Sequence, residues 1–188
     1  MGLNLISEHL NGLMLFEPDV FEDKRGFFME SYRADQFEQL SLPTDFVQDN
    51  HSRSSKGVLR GMHFQWEKPQ GKLIRVTMGA AFVVEVDIRK NSPTLGKWFG
   101  IELSAENKKI LWVPPGFANG FYTLSQWAEM QYKCTALWNK HGESSIRWND
   151  PAIGIEWPGS DPIVSDKDKN AQLMDQWLAS KDSDKFTY

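Results

Sequence analysis

The sequence has few of the residues that stabilise small secreted domains or bind structural metals. Its 188 residues include one cysteine, Cys134, and four histidines. A single cysteine excludes an internal disulfide framework and suits a reducing compartment, so we expect a cytoplasmic protein. Residues 1–12 lack a basic stretch followed by an apolar one, so no secretory signal is predicted.

Two further absences, of long apolar runs and of excess positive charge, limit the kinds of partner that the protein can bind. No apolar run approaches the roughly 20 residues that span a bilayer, so no membrane segment is predicted. The chain has 21 Lys and Arg against 25 Asp and Glu, a net charge of −4. Because positive charge is not in excess, we expect no nucleic-acid-binding surface. The length is sufficient for one domain, which we expect to span residues 1–188.

Short segments of alternating apolar and polar residues dominate the chain. In the segment 82–88 the side chains of Phe82, Val84, Val86 and Ile88 share one face, and Glu85 and Asp87 take the other, which predicts a half-buried strand. Similar patterns predict strands at residues 72–78, 101–103, 109–113 and 128–138. Many short strands separated by Gly and Pro turns favour a mainly β fold, an antiparallel sandwich or barrel of the jelly-roll kind.

Helical patterns occur only near the two ends of the chain. Residues 33–40 can form two turns with Phe37 on the apolar side. Near the carboxyl end, Ser165 is a candidate N-cap for a helix that runs through residues 169–180. We therefore expect short helices near the termini of a β domain.

The segment Val58–Gln65 places His63 in the middle of an apolar strand. Such a histidine is more often a hydrogen-bonded core residue than a catalyst. Arg60 and Lys72 lie close by in the sequence, and cations are costly to bury unless an anion meets them. Alternation puts Arg60 and His63 on opposite faces, so both point inward only if Gly61 marks a bulge.

A metal site is not predicted, although jelly-roll enzymes often hold a metal with closely spaced histidines. His63 has no second histidine in its own strand, and the turn that might supply one carries Asn119. The other histidines lack ligand spacing. No phosphate-binding glycine loop or nucleophile elbow is present, so no cofactor is predicted either.

Several motifs together resemble the dTDP-4-dehydrorhamnose 3,5-epimerase family. They run in family order from about residue 15 to 170 and lie at residues 21–30, 46–50, 59–65, 71–73, 86–89, 92–94, 103–107, 148–150, 155–158 and 165–168. The resemblance implies a cupin-type double-stranded jelly roll without metal or cofactor, usually a homodimer. It also implies a nucleotide-diphosphate 4-keto-6-deoxy sugar as substrate, in deoxysugar biosynthesis.

The resemblance also implies roles for four residues. The ketone at carbon 4 acidifies the hydrogens on carbons 3 and 5, and inversion needs a base on one face and an acid on the other. By the family pattern, His63 is the base and Asp168 orients it. Tyr132 matches the acid, and Lys72 matches the group near the ketone oxygen, where a positive charge stabilises an enolate.

Further positions match substrate contacts of the family. These implied contacts are Arg25, Glu30, Gln48, Asn50, Arg60, Asn119, Trp138 and Glu143. Arginines suit a diphosphate because the guanidinium donates in pairs and stays charged. Trp138 stands where the family often has Tyr, and both rings can stack on a base.

One departure leaves alternatives open. The family turn usually carries a histidine where this chain has Asn119, and an amide cannot carry a positive charge near the enolate. Double epimerisation is the leading interpretation, and an epimerase of one centre, at carbon 3 or 5, on another nucleotide such as CDP is the alternative. A non-catalytic sugar-nucleotide-binding module and a metal-dependent cupin oxygenase are the hypotheses from other classes.

Overall fold

The computed structural model describes residues 2–188, which form mainly antiparallel strands. The strands are β1 Leu3–His9, β2 Leu13–Pro18, β3 Val20–Asp23, β4 Gly26–Met29, β5 Gln48–Ser55, β6 Val58–Gln65, β7 Lys72–Met78, β8 Ala80–Asp87, β9 Trp98–Ser104, β10 Ile110–Val113, β11 Phe117–Thr123, β12 Trp127–Cys134, β13 Glu143–Ser145 and β14 Ile163–Val164. The helices are α1 Ala34–Gln39, α2 Asp166–Lys169 and α3 Met174–Ala179, followed by a 3-10 helix at Lys181–Lys185.

Two large sheets face each other. The first has the order β1-β2-β10-β7-β12-β5, and the second has the order β13-β6-β11-β8-β9, with β14 parallel to β6. Strands β3 and β4 form a separate hairpin. Because neighbours in the sheets are mostly distant in sequence, the strands cross repeatedly between the two layers. The predicted fold class, a double-stranded antiparallel jelly roll with short helices near the termini, is confirmed.

Apolar side chains from both sheets fill the space between them. Leu15, Ile74 and Met130 of the first sheet pack with Val83 and Phe121 of the second in one buried cluster. The outer faces are covered as well. Phe37 of α1 packs on the first sheet, and Trp177 of α3 packs on the second, with its ring centroid 4.5 Å from that of Phe64.

Strand β8 corrects the prediction of a half-buried strand at residues 82–88. Val84 lies in the cluster under α3 and Val83 in the cluster between the sheets, so both faces of the strand are covered. Glu85 and Asp87, which we expected at the solvent face, are fully buried. Buried carboxyl groups need partners. Asp87 obtains them from the Arg89 guanidinium at 2.8 Å and the Ser92 hydroxyl at 2.5 Å.

One predicted strand ends earlier than expected, and one predicted helix is interrupted. Strand β12 ends at Cys134 rather than at residue 138, because the chain there bonds to a loop. The Thr135 amide donates to the Gly71 carbonyl and Gln70 donates to the Ala136 carbonyl, at 3.1 and 2.7 Å. The single carboxyl-terminal helix is two helices, α2 and α3, because Gln172 between them forms a bridge to Ile146. Ser165 does cap α2 through the Asp168 amide.

The amino-terminal third holds strands that the sequence reasoning missed. In β2 the residues Leu13 and Leu15 face the inner core, while Phe16 packs under α1. Apolar residues on both faces erase the alternation that reveals a strand. Among residues 2–188 no helix is long and apolar enough to cross a membrane.

Candidate active site

A histidine and a buried aspartate form the centre of the candidate site. His63 on β6 lies with Nε2 2.6 Å from Oδ1 of Asp168, whose residue is 3% exposed. The pairing is long-range in sequence and depends on β14. That strand runs parallel to β6 and ends next to the Ser165 cap, so it delivers α2 and its Asp168 to the side of β6.

The charge state of Asp168 suits an orienting partner. Burial works to raise the pKa of Asp168, but hydrogen bonds and charge, those of His63 first among them, together lower it below its usual range. The Gly61 amide and the Ser165 hydroxyl act in the same direction. A carboxylate that stays ionised fixes the imidazole tautomer and leaves the other ring nitrogen, Nδ1, to exchange a proton with a ligand.

Gly61 interrupts the regular pairing of β6. Asn119 of β11 lies opposite His63 and Phe121 lies opposite Arg60, so β6 has one extra residue between these two pairs. Gly61 has φ = 139° and a Cβ there would lie 2.6 Å from the Gly120 Cα, so the position requires glycine. The bulge changes the parity of the strand, and Arg60 and His63 line the same cavity of about 410 Å³ beside Asp168.

The facing sheet contributes Lys72 and Tyr132. Lys72 pairs with Val113 and Tyr132 with Ile74, and these two apolar partners belong to the inner core, so both polar side chains point between the sheets. The Lys72 Nζ lies 5.8 Å from the centroid of the Tyr132 ring. Burial is the main cause that raises the pKa of Tyr132, so the phenol keeps its proton at neutral pH.

Sequence reasoning missed Glu85. On β8 it lies opposite Asn119, which in turn lies opposite His63, so three polar side chains share the inner face of the second sheet. The Asn119 Nδ2 donates to Glu85 Oε1 at 2.5 Å. The signal was present in the sequence, because Ala81 and Val83 are apolar on the same face of the strand as Glu85 and so predict that this face is covered too.

Gln48 and Asn50 lie on β5, next to β12. Asn50 pairs with Tyr132, and its Nδ2 donates to the Cys134 sulfur at 3.5 Å. The Gln48 Nε2 donates to Asn50 Oδ1 at 3.0 Å, while its Oε1 accepts from the backbone amide of Trp138 at 2.8 Å. Trp138 itself is 57% exposed, so a ligand can reach its side chain from solvent.

Glu143 and the missed Lys167 form the rim of the site beside β6. Glu143 lies on β13 opposite Gln65, and its carboxylate accepts from the Lys167 ammonium of α2 at 2.8 Å. Lys167 also lines the cavity with His63. Arg60 donates to the Ser54 hydroxyl at 3.1 Å and so bridges β6 to the edge strand β5.

Two expected substrate contacts lie elsewhere. Arg25, in the turn of the β3–β4 hairpin, has an 84% exposed side chain and, within residues 2–188, pairs with the nearby Asp23 at 2.5 Å. Glu30 pairs with Arg33 at 3.5 Å. The hairpin lies near Arg75 on the outer face of the first sheet. Within one chain, the sheet therefore separates Arg25 from the His63–Asp168 pair, the dyad of the candidate site.

Within residues 2–188 no group of three His, Cys, Asp or Glu side chains has the arrangement of a metal-binding cluster. The inner faces of the two sheets instead present an imidazole, a phenol and an ammonium group, those of His63, Tyr132 and Lys72. Such a set can remove a proton from carbon, hold negative charge on an adjacent oxygen and return a proton.

Comparison with known proteins gives a consistent assignment. The family model described as dTDP-4-dehydrorhamnose 3,5-epimerase matches residues 7–176. The dTDP-4-dehydrorhamnose 3,5-epimerase of Salmonella typhimurium strain LT2 is 54% identical over 180 residues, 94% of this chain and 98% of that protein.

Solved structures agree with this chain along nearly its whole length. A dTDP-6-deoxy-D-glucose-3,5-epimerase of Legionella pneumophila, in complex with dTDP-4-keto-L-rhamnose, has a TM-score of 0.91 and 47% identity over 97% of both chains. A 3′-monoepimerase of Streptomyces bikiniensis, in complex with dTDP-quinovose, has a TM-score of 0.84 and 32% identity, over 89% of this chain and 86% of that one.

Proposed function

This chain belongs to the dTDP-4-dehydrorhamnose 3,5-epimerase family, and we propose that His63, Tyr132 and Lys72 perform its chemistry. It is an isomerase-class enzyme that acts on a nucleotide sugar. We assign it a dTDP-linked 4-keto-6-deoxy hexose, inverted at carbons 3 and 5 in deoxysugar biosynthesis. We also propose a cytoplasmic location, which the single cysteine supports.

The reaction begins with proton removal from the carbon next to the ketone. His63 takes the proton through its free ring nitrogen, and the electron pair of the C–H bond becomes the enolate on the carbon 4 oxygen. Lys72 stabilises that negative charge. Asp168 stabilises the imidazolium that forms, and the 2.6 Å contact between His63 and Asp168 is the observation that carries the proposal.

The reaction ends with protonation of the opposite face. Tyr132 lies on the sheet that faces His63 and transfers its phenolic proton to the carbon, so the enolate collapses to the ketone with the centre inverted. Solvent then restores the proton on Tyr132 and removes the one on His63. Because burial raises the pKa of Tyr132, its hydroxyl is available as an acid at neutral pH.

The main alternative is that the enzyme inverts one carbon centre of the sugar rather than two. Identity of 47 to 54% to 3,5-epimerases, against 32% to a 3′-monoepimerase, favours inversion of both carbons. Asn119 is the observation that favours a single centre, because an amide beside His63 cannot carry the positive charge that the family histidine could.

Heavy water distinguishes these outcomes directly. We expect that incubation with a dTDP-4-keto-6-deoxy hexose in deuterium oxide places deuterium at both carbon 3 and carbon 5, since each passes through the enolate. Proton NMR measures the loss of each signal. Deuterium at one carbon identifies a single-centre epimerase, and the CDP-linked sugar run in parallel identifies the nucleotide. Failure to exchange with either substrate would contradict the catalytic proposal and leave a binding module.

We propose that the enzyme is a homodimer whose hairpin β3–β4 completes the site of the partner. The hairpin exposes Phe21, Phe27 and Phe28, each more than half exposed, which is unusual for clustered aromatic side chains. Arg25 stands at its tip and is separated from the dyad of its own chain by the first sheet. In such a dimer the second copy of this chain covers the aromatic rings, and the anionic substrate bound in its site lies against Arg25.

Complementation between two variants tests this arrangement. We expect Arg25→Ala to lower the turnover about 10- to 100-fold, the value of a charged hydrogen bond. When Arg25→Ala and His63→Ala chains are co-expressed, one of the two sites in each mixed dimer has both residues intact. Activity should therefore recover to about a quarter of wild type in a random mixture of symmetric dimers. If Arg25 acted within its own chain, every mixed site would carry one defect and no recovery would occur.

A further inference from the structure

Glu85 is a buried carboxyl group to which the mechanism above assigns no role. It is fully buried, and its Oε1 accepts the hydrogen bond from Asn119 at 2.5 Å. Among residues 2–188 its other oxygen, Oε2, is buried without any hydrogen-bond partner. An unsatisfied buried oxygen costs stability, so its presence needs an explanation.

The pairing of three strands places Glu85 beside the catalytic centre. Asn119 lies between Glu85 and His63 in one cross-strand row on the inner face of the second sheet. The amide of Asn119 is held by Glu85 through Nδ2, so its orientation next to His63 depends on the carboxyl group. Only the Asn119 side chain therefore lies between Glu85 and the proposed base, His63, in this row.

The charge of Glu85 acts on Lys72 of the facing sheet. Burial lowers the pKa of the Lys72 ammonium, and the Glu85 carboxylate is the largest influence that opposes this change. Burial raises the pKa of Glu85 to about 8, against the charge of Lys72 and the Asn119 hydrogen bond. As the pH rises, ionisation of Glu85 thus favours the charged form of Lys72.

The other titratable groups near Lys72 are in surroundings that differ from those of Glu85. Cys134 of β12 is buried, which raises the pKa of its thiol. Glu143 of β13 is already bound to the Lys167 ammonium at 2.8 Å. On β6, His63 is paired with Asp168. Of the two carboxylates whose charge opposes the lowering of the Lys72 pKa, Glu143 is thus ion-paired, while Glu85 has an oxygen without a hydrogen-bond partner among residues 2–188.

We propose that Glu85 is a positioning residue, which fixes the Asn119 amide beside His63 and, once ionised, supplies the negative charge that faces Lys72 across the site. The proposal rests on the function proposed above, because Lys72 stabilises an enolate only while it is charged. The proposal also accounts for the amide at position 119, where the family usually has an ionisable histidine. Here the ionisable group is Glu85, which lies opposite Asn119 on the neighbouring strand β8. The roles of acid and base stay with Tyr132 and His63.

Glu85→Gln is the direct test, because glutamine keeps the size and an acceptor for Asn119 but cannot become an anion. We expect the ammonium of Lys72 to lose its proton about one pH unit or more lower than in the wild type. NMR of the protein with ¹³C-labelled lysine measures this titration, and Lys72→Arg assigns the signal by its loss. The alkaline limb of the kcat profile should move to lower pH by the same amount, with KM little changed.

Two further variants separate this role from a structural one. Glu85→Asp keeps an ionisable group and should restore most of the alkaline activity. Glu102→Gln changes an exposed carboxylate on the neighbouring strand β9 and should leave the Lys72 titration unchanged. An unchanged Lys72 titration in Glu85→Gln, or an alkaline limb that moves to higher pH, would overturn the proposal. If the wild type catalyses no exchange, the proposed function fails, and the NMR titration still decides whether Glu85 controls Lys72.

Discussion

Replacement of His63 with alanine should abolish deuterium exchange at both carbons of the substrate. General-base catalysis accounts for about 10²- to 10⁴-fold of a rate, and the carboxylate bound to His63 cannot take over the proton. Asp168 is held at low pKa and is 3% exposed, so it is a poor base for a substrate carbon. Proton NMR of the substrate in deuterium oxide measures the residual exchange.

The alanine variant also leaves the Asp168 carboxylate buried without its partner, so stability must be checked separately. His63→Asn retains a donor near Asp168 and should lose exchange to the same extent. His9→Ala is the matched control. The ring of His9 stacks on Phe99 at 3.8 Å, away from the dyad, and its removal should keep exchange near the wild-type rate. Exchange that survives in both His63 variants would show that the base has been assigned wrongly.

Local patterns in the sequence predicted where strands lie, but they did not predict which elements cover each face of a strand. The alternation in residues 82–88 correctly grouped the apolar side chains, which lie together in the cluster under α3. The opposite face was assigned to solvent and is buried. Period-2 alternation identifies two faces but does not say what covers each. The partners of Glu85 come from β7 and β11, and none of them is near in sequence.

The pairing of His63 with Asp168, unlike the strands, could not be predicted from local patterns. No spacing in the sequence links His63 to Asp168, which lie 105 residues apart, and only the family resemblance paired them. The structure supplies the physical reason, a short strand β14 that pairs with β6 and ends at the N-cap of α2. The bulge at Gly61, by contrast, was named from the sequence as a condition, since two side chains three positions apart on a strand share a face only if an extra residue lies between them.

The hairpin marks the limit of prediction from one chain. The motif around Arg25 and Glu30 resembles that of the family, which implied substrate contacts, but its side chains lie on the far side of the first sheet from His63. Sequence motifs report which residues a site uses, and they do not report which copy of the chain supplies them.

Replacement of Tyr132 with phenylalanine should separate proton removal from inversion. His63 and Lys72 remain, so the enolate still forms, and solvent exchanges the proton on the imidazolium before it returns to the same face. Deuterium should therefore enter carbons 3 and 5 with retained configuration. Net inversion requires an acid on the opposite face, and its loss should slow inversion about 10²- to 10⁴-fold.

The two rates can be measured in one sample, deuterium content by proton NMR and configuration from the coupling constants of the sugar ring. Tyr122→Phe removes the same hydroxyl from a residue that lies opposite Phe82 on the outer face of the second sheet, and should leave both rates near wild type. If exchange and inversion fall together in Tyr132→Phe, the phenol assists proton removal as well. If inversion persists, another group protonates the carbon. Only exchange without inversion assigns Tyr132 as the acid, because a base that acts alone returns the proton to the face from which it came.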